Sequence, residues 1–209
     1  MVRPRQFDET SVLRDAMKLF WRKGYEATSM NDLLKVTGLS KSSLYQTFTG
    51  KRTLFLAAME AYRQERMAYL RERLNDGRPA RESIEGFFKE VIEHAGDKDR
   101  PHGCMNCNEA VELGPNDAQV RRLVVADFQA VEDVFADAVS RGQRDGSIAN
   151  PESARTVARF FTVTLQGLQV MARVRVDAGR MGDTVAAMLA YLDSSAASMP
   201  RSERRLARR

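Results

Sequence analysis

The fold class predicted for this chain is all-α, and three observations predict it. Apolar residues recur at helical spacing from Leu13 to Leu192. Strand signals are scarce, most clearly from Ala80 onward. Glycine, proline and capping residues stand at the junctions between the periodic stretches. Together they predict about nine helices. Three short ones form an N-terminal helix-turn-helix domain over residues 1–52, followed by a helical domain over 53–199 and a basic tail over 200–209.

The elements follow in order. Leu13, Ala16, Met17 and Phe20 keep the i, i+3, i+4, i+7 spacing of a helix with one buried face, and Gly24 closes it before Tyr25. Ser29-Met30-Asn31-Asp32 is an S-x-x-D capping box, so a second helix starts near Met30 with Leu33, Leu34 and Val36 facing inward. Gly38 can take the positive φ needed just past a helix end, Leu39 plugs the angle, and Ser40 can cap the next helix. That helix, Lys41 to Phe48, has a divided face. Leu44 and Phe48 lie together and pack inward, leaving Lys41, Ser42, Ser43, Tyr45, Gln46 and Thr47 to the outside or the flank. Gly50 and Lys51 open a longer helix carrying Leu54, Phe55, Ala58, Ala61 and Tyr62.

Further on, Ile84, Phe87, Phe88, Val91 and Ile92 mark one helix, ended by a loop over 96–103. A short helix follows near Asn106 to Leu113 and stops at Gly114-Pro115. Asp117 to Arg141 forms a long amphipathic helix, with a loop from Gly142 to Asn150. Pro151 stands where a helix can begin, and Phe160, Phe161, Leu165, Leu168 and Met171 carry that helix to about Val176. The last helix runs from about Met181 to Ala197.

The stretch from Thr28 to Lys51 carries the most information about function. Two short helices surround a tight glycine turn, and the second is small, polar and basic where it is exposed. Such side chains suit phosphates and base edges. Lys51 opens a helix, where a cation is unfavourable for the dipole, so an external anion beside it would make electrostatic sense of the choice.

Residues 7 to 62 resemble the N-terminal domain of the tetracycline-repressor (TetR) family of bacterial regulators, through KGYEATSM, DLLKVTGLSKSSLYQTFTGK and the apolar helix after them. The resemblance implies a homodimeric, ligand-responsive regulator of transcription, most often a repressor, that binds a palindromic operator in double-stranded DNA. By position it implies that Ser29, Tyr45 and Lys51 hold phosphates and that Asn31, Lys41, Ser42, Ser43 and Gln46 lie at or near the major groove. The chain departs from the commonest pattern at Gln46 and Thr47, where an aromatic residue or histidine is frequent. A glutamine can still bond adenine through two hydrogen bonds.

Charge distribution fits this reading. Residues 1–65 hold 11 Lys and Arg against 7 Asp and Glu, residues 200–209 hold 5 against 1, and the middle holds 17 against 20. A positive N-terminal domain suits a phosphate backbone, whereas the mildly acidic middle does not suit DNA along the whole molecule. Arg3 and Arg5 could reach the duplex as a short arm. A hydrophobic content of 43% supports a sizeable core. No apolar run reaches about eighteen residues and no secretory h-region is present, so the expected location is the cytoplasm, on the nucleoid, with no membrane partner.

The resemblance assigns the last two helices to a four-helix dimer interface. The small residues Ala158, Gly167, Ala186, Ala187, Ala190, Ala196 and Ala197 suit close helix approach. A small-molecule effector would enter among the helices between Tyr62 and Met171, against Phe88, Phe128, Phe161 and Gln166, with Phe87, Val91, Phe160, Met171 and His94 as further walls.

The only cysteines, Cys104 and Cys107, form a C-x-x-C after His102-Gly103 at the start of a short helix. A helix N-terminus lowers a thiol's pKa, so Cys104 can sense oxidants or electrophiles and Cys107 can resolve a sulfenic acid there. Certain TetR-like regulators use such a cysteine as their sensor, and many keep one with no such role. The same residues are also ordinary small hydrophobes. Zinc has three ligands here with His102, and His94 would have to supply a fourth. Two histidines, no phosphate-cradling glycine loop and no hydrolase or metalloprotease motif leave little for catalysis, and no cofactor is expected. A sequence-indifferent architectural DNA-binding protein is the alternative.

Overall fold

The computed structural model describes residues 8–95 and 103–195. Arg3, Arg5, His102, Ala196, Ala197 and the basic tail lie outside them. Among the described residues the architecture is all-α. The order is α1 (Glu9–Lys23), α2 (Met30–Thr37), α3 (Lys41–Phe48), α4 (Lys51–Leu74), α5 (Ala80–Ala95), α6 (Met105–Glu112), α7 (Ala118–Asp145), α8 (Ala154–Arg173) and α9 (Ala178–Leu192). The chain divides into two compact units. Among the described residues, one holds those up to Arg66 with Cys104–Val124, and the other holds those from Met67 to Gly103 and from Val125 on. No described helix is long and apolar enough to cross a membrane.

In the first unit, α1 begins where Asp8 Oδ1 accepts the Thr10 N–H at 3.1 Å and ends at Gly24, whose φ is 85°. Its buried residues Val12, Ala16, Met17 and Phe20 face inward, and α1 packs on α2 and α6. The Phe20 ring meets Phe55 edge-on at 5.1 Å, and Tyr25 leans on Phe55 at 4.6 Å. Leu33, Leu44 and Phe48 are buried as expected, but Val36 is 39% exposed. An eight-residue helix offers one narrow stripe, and three residues past Leu33 the helical repeat has turned Val36 roughly 60° off it.

The second unit is built around Phe87, Phe88, Phe135 and Phe161, with ring centres 5.3 to 5.9 Å apart. Helix α5 supplies two of these rings and packs against both α8 and α9. Phe160 is a correction to the expected interior: it is 44% exposed and rests on the Tyr191 ring at 5.7 Å. Adjacent helical residues differ by about 100° in direction, so burying Phe161 turns Phe160 outward.

Several helix boundaries also differ from expectation, among them the end of α9, which lies at Leu192 and not at Ala197. Helix α7 runs through Gly142 to Asp145. Gly142 is there for close packing, because a Cβ on it would stand 2.5 Å from Ile148 Cδ1. Helix α8 starts at Ala154, not Pro151, because Ser153 accepts the Thr156 N–H at 3.1 Å and takes the N-cap. Helix α9 starts a turn before Met181, because Asp177 caps the Gly179 and Arg180 amides.

Candidate nucleic-acid interface and buried thiol pair

The helix-turn-helix is assembled by local hydrogen bonds. Asp32 N–H donates to Ser29 Oγ at 3.1 Å and Ser29 N–H donates to Asp32 Oδ2 at 2.9 Å, completing the capping box. Lys23 Nζ joins the same oxygen at 2.6 Å, which ties the end of α1 to the start of α2. Hydrogen bonds from Lys23 and Ser29 hold the Asp32 carboxyl far below the usual carboxylate range. Gly38 has φ 67° with open space where a Cβ would be, so conformation and not crowding explains the glycine. Ser40 Oγ accepts the Ser43 N–H at 3.1 Å and starts α3.

On α3, Leu44 and Phe48 are buried, Lys41, Ser42, Tyr45 and Gln46 are exposed along one side, and Thr47 is exposed on the other flank. Asn31 and Ser29 are exposed at the first turn of α2. Ser43 is half-buried and its hydroxyl bonds Ser40 Oγ at 2.8 Å, so it is more occupied with the cap than its neighbours. Lys51 begins α4 half-buried, its Nζ 4.2 Å above the centre of the Tyr25 ring. A surface cation on a ring is worth about 0.5–1 kcal/mol, enough to orient the ammonium without consuming its hydrogen bonds.

Several residues around Lys51 escaped sequence reasoning. Glu112, the last residue of α6, accepts the Tyr25 N–H at Oε2 (3.1 Å) and the Glu26 N–H at Oε1 (2.8 Å). Arg52 pairs with Asp117 at 2.6 Å and reaches Gln119 Oε1 at 3.3 Å. Asp117 also caps α7 by accepting the Gln119 and Val120 amides. These partners are 65 or more positions apart in the chain, and only the adjacency of Arg52 to Lys51 hinted at any of them.

In the same unit, Cys104 is the N-cap residue of α6 and Cys107 lies in its first turn. Both are buried and neither is in a disulfide. Burial by itself raises the Cys104 thiol. Hydrogen bonds from the Cys107 thiol and the Tyr62 hydroxyl, with the Arg66 guanidinium, outweigh it and bring the pKa to about 5. Burial, with the negative charge on Cys104, pushes the Tyr62 phenol well above its ordinary range. A nucleophilic thiolate and a nearby second thiol are the two parts needed for reversible oxidation.

The residues expected to wall an effector differ in burial. Phe88 and Phe161 are fully buried in the four-ring core and Phe128 and Gln166 are half-buried, while His94 is exposed. A cleft of about 720 Å³ lies elsewhere in that unit, lined by Asn75, Gly77, Arg78, Pro79, Arg141, Asp145, Gly146 and Ser147. Among the described residues no His, Cys, Asp or Glu cluster could hold a metal ion.

Comparison with known proteins gives a consistent pattern. Residues 12–58 match the family described as bacterial regulatory proteins, tetR family, and residues 80–188 match the tetracyclin repressor-like C-terminal domain. The chain is 32% identical to the uncharacterized HTH-type transcriptional regulator YezE of Bacillus subtilis strain 168, over 92% of this chain and 100% of that one. It is 30% identical to the HTH-type transcriptional repressor ComR of Escherichia coli strain K12, over 82% of each. Among solved structures it is similar to a cysteine mutant of the regulator CifR in complex with 26 bp double-strand operator DNA. That likeness has 30% identity and a TM-score of 0.80, covering 90% of this chain and 98% of that one.

Proposed function

We propose, from the premise that the chain belongs to the tetR family of bacterial regulatory proteins, that it is a homodimeric repressor releasing a palindromic operator on signal. It would act in the cytoplasm, on nucleoid DNA. The observation that carries this reading is the exposed row Lys41, Ser42, Tyr45, Gln46 on a capped α3, with Lys51 held at the adjoining helix start. Tyr45, Lys51 and Ser29 take phosphates, and Lys41, Ser42, Ser43, Gln46 and Asn31 face the major groove. One recognition helix makes few specific contacts, so two are needed on one site. The dimer is supported by an apolar face on α8 and α9, where Phe160, Val163, Val170, Ala186, Ala187 and Ala190 are exposed.

Thiol modification is the favoured signal, because the Cys104 environment stabilises a thiolate and Cys107 lies in the first turn of the same helix. With a hydroperoxide as oxidant, the Cys104 sulfur takes one peroxide oxygen, becoming a sulfenic acid as the O–O bond breaks. The second oxygen leaves as hydroxide or alkoxide and is protonated to water or alcohol. The Cys107 thiol then attacks Cys104, forming an S–S bond and expelling water. A state with altered spacing of its two α3 helices loses the operator. A small-molecule effector is the alternative signal.

Footprinting of the purified protein on DNA upstream of its own gene tests the reading. Protection of a short palindrome is expected. Uniform coverage would favour a sequence-indifferent architectural protein, and no binding at moderate salt would remove both. Release by peroxide that persists in Cys104→Ser would end the thiol branch.

A further inference from the structure

We infer that Glu112 and Asp117, on either side of the α6–α7 turn, form a two-carboxylate bracket that sets the position of Lys51 and so tunes the grip on DNA phosphate. The inference rests on the reading of Lys51 as a phosphate-binding residue. Glu112 holds the backbone of Tyr25 and Glu26 through two hydrogen bonds, at 3.1 and 2.8 Å. The Tyr25 ring carries Lys51 Nζ at 4.2 Å. Asp117 holds Arg52, the next residue, at 2.6 Å. The Lys51 ammonium thus rests on a ring whose backbone Glu112 holds, and the neighbouring Arg52 is tied down by Asp117, so both anchors come from one short segment.

Stabilising its own helix does not explain Glu112. A carboxylate at the last position of α6 opposes that helix's dipole, and it also stands at Gly24, the C-terminal cap of α1, where negative charge is again unfavourable. What favours it there is the pair of amides past the end of α1, which a carboxylate binds more strongly than a neutral acceptor does. The site is shaped for it. A Cβ on Gly24 would stand 2.5 Å from Glu112 Oε2, so the glycine leaves room for the carboxylate. Helix α6 begins just after its N-cap residue Cys104 and ends at this bracket. A change at the thiols therefore has a short, rigid route to a phosphate-binding side chain.

The test is a double-mutant cycle on binding to a labelled random-sequence duplex at low salt, where attraction to phosphate dominates and no operator need be known. Lys51→Ala is expected to weaken binding and to lower the slope of log K against log salt by about one, the change expected when one phosphate is no longer neutralised. Glu112→Gln leaves one acceptor and turns an amide toward a backbone N–H. Losing a carboxylate adds one positive charge, which by itself favours DNA, so the readout is the coupling: Lys51→Ala should weaken binding and lower the salt slope less in the Glu112→Gln background than in the unaltered protein. Asp117→Asn keeps the α7 cap, since asparagine caps as well as aspartate, and should behave the same way if Glu112→Gln fails to fold. An effect of Lys51→Ala on binding and salt slope that is the same in both backgrounds would overturn the bracket alone. Binding unaffected by Lys51→Ala would overturn the Lys51 reading and the bracket with it.

Discussion

The hydroxyl of Tyr62, buried on α4, donates its hydrogen bond to the thiol of Cys104 at the head of α6. That bond favours the thiolate, because an O–H donor binds negative sulfur more strongly than neutral sulfur. The folded-state pKa is depressed, to about 5. The thiolate's contribution to stability is therefore full above the ordinary thiol range and falls away as pH drops through about 5. Thiolate ultraviolet absorbance should titrate near that value in the native protein. In Tyr62→Phe the midpoint should move upward; an unmoved midpoint would remove Tyr62 from the account.

Phe160 and Phe161 should separate core from interface. Phe161→Ala empties part of a four-ring cluster and is expected to cost about 3–5 kcal/mol, lowering Tm by on the order of 10 °C. Phe160→Ala should leave the protomer fold intact but weaken self-association by roughly tenfold or more, about 1.4 kcal/mol. Sedimentation over a dilution series would show this, and unchanged association would take Phe160 out of the dimer face.

Gln46 and Lys41 should differ in kind. Gln46→Ala should lose about 1–3 kcal/mol of discrimination at one base pair in each half-site, with little change on unrelated DNA. Lys41→Ala, which removes a cation from the DNA-facing row, should weaken binding to every duplex and reduce the salt slope. Competition assays with single-base operator variants would distinguish them; equal losses at every position in Gln46→Ala would contradict base reading.

Ser29 has a structural duty beside any contact with DNA. Ser29→Ala removes the acceptor for the Asp32 amide and should cost about 1 kcal/mol, a fall in Tm of roughly 2–4 °C. A thermal melt measures that cost, and a loss of DNA affinity well beyond it would mark a direct phosphate contact.

How far the molecule was legible follows the range of the interactions. Legible along the chain are the all-α class, the capping of α2 at Ser29 and of α3 at Ser40, the turn at Gly38, and the division of α3 into Leu44 and Phe48 inside and Lys41, Tyr45 and Gln46 outside. Those features depend on residues at most four positions apart, and helical periodicity registers them directly. It took the packed helices to show that Val36 and Phe160 face outward, that Gly142 lies within a helix, and that Phe88 and Phe161 meet in one aromatic cluster. Periodicity shows that a face is apolar but not what meets it. The bracket at Lys51 was equally hidden, because Glu112 and Tyr25 are 87 positions apart. Two polar groups so distant in the chain become partners only when packing brings their helices together.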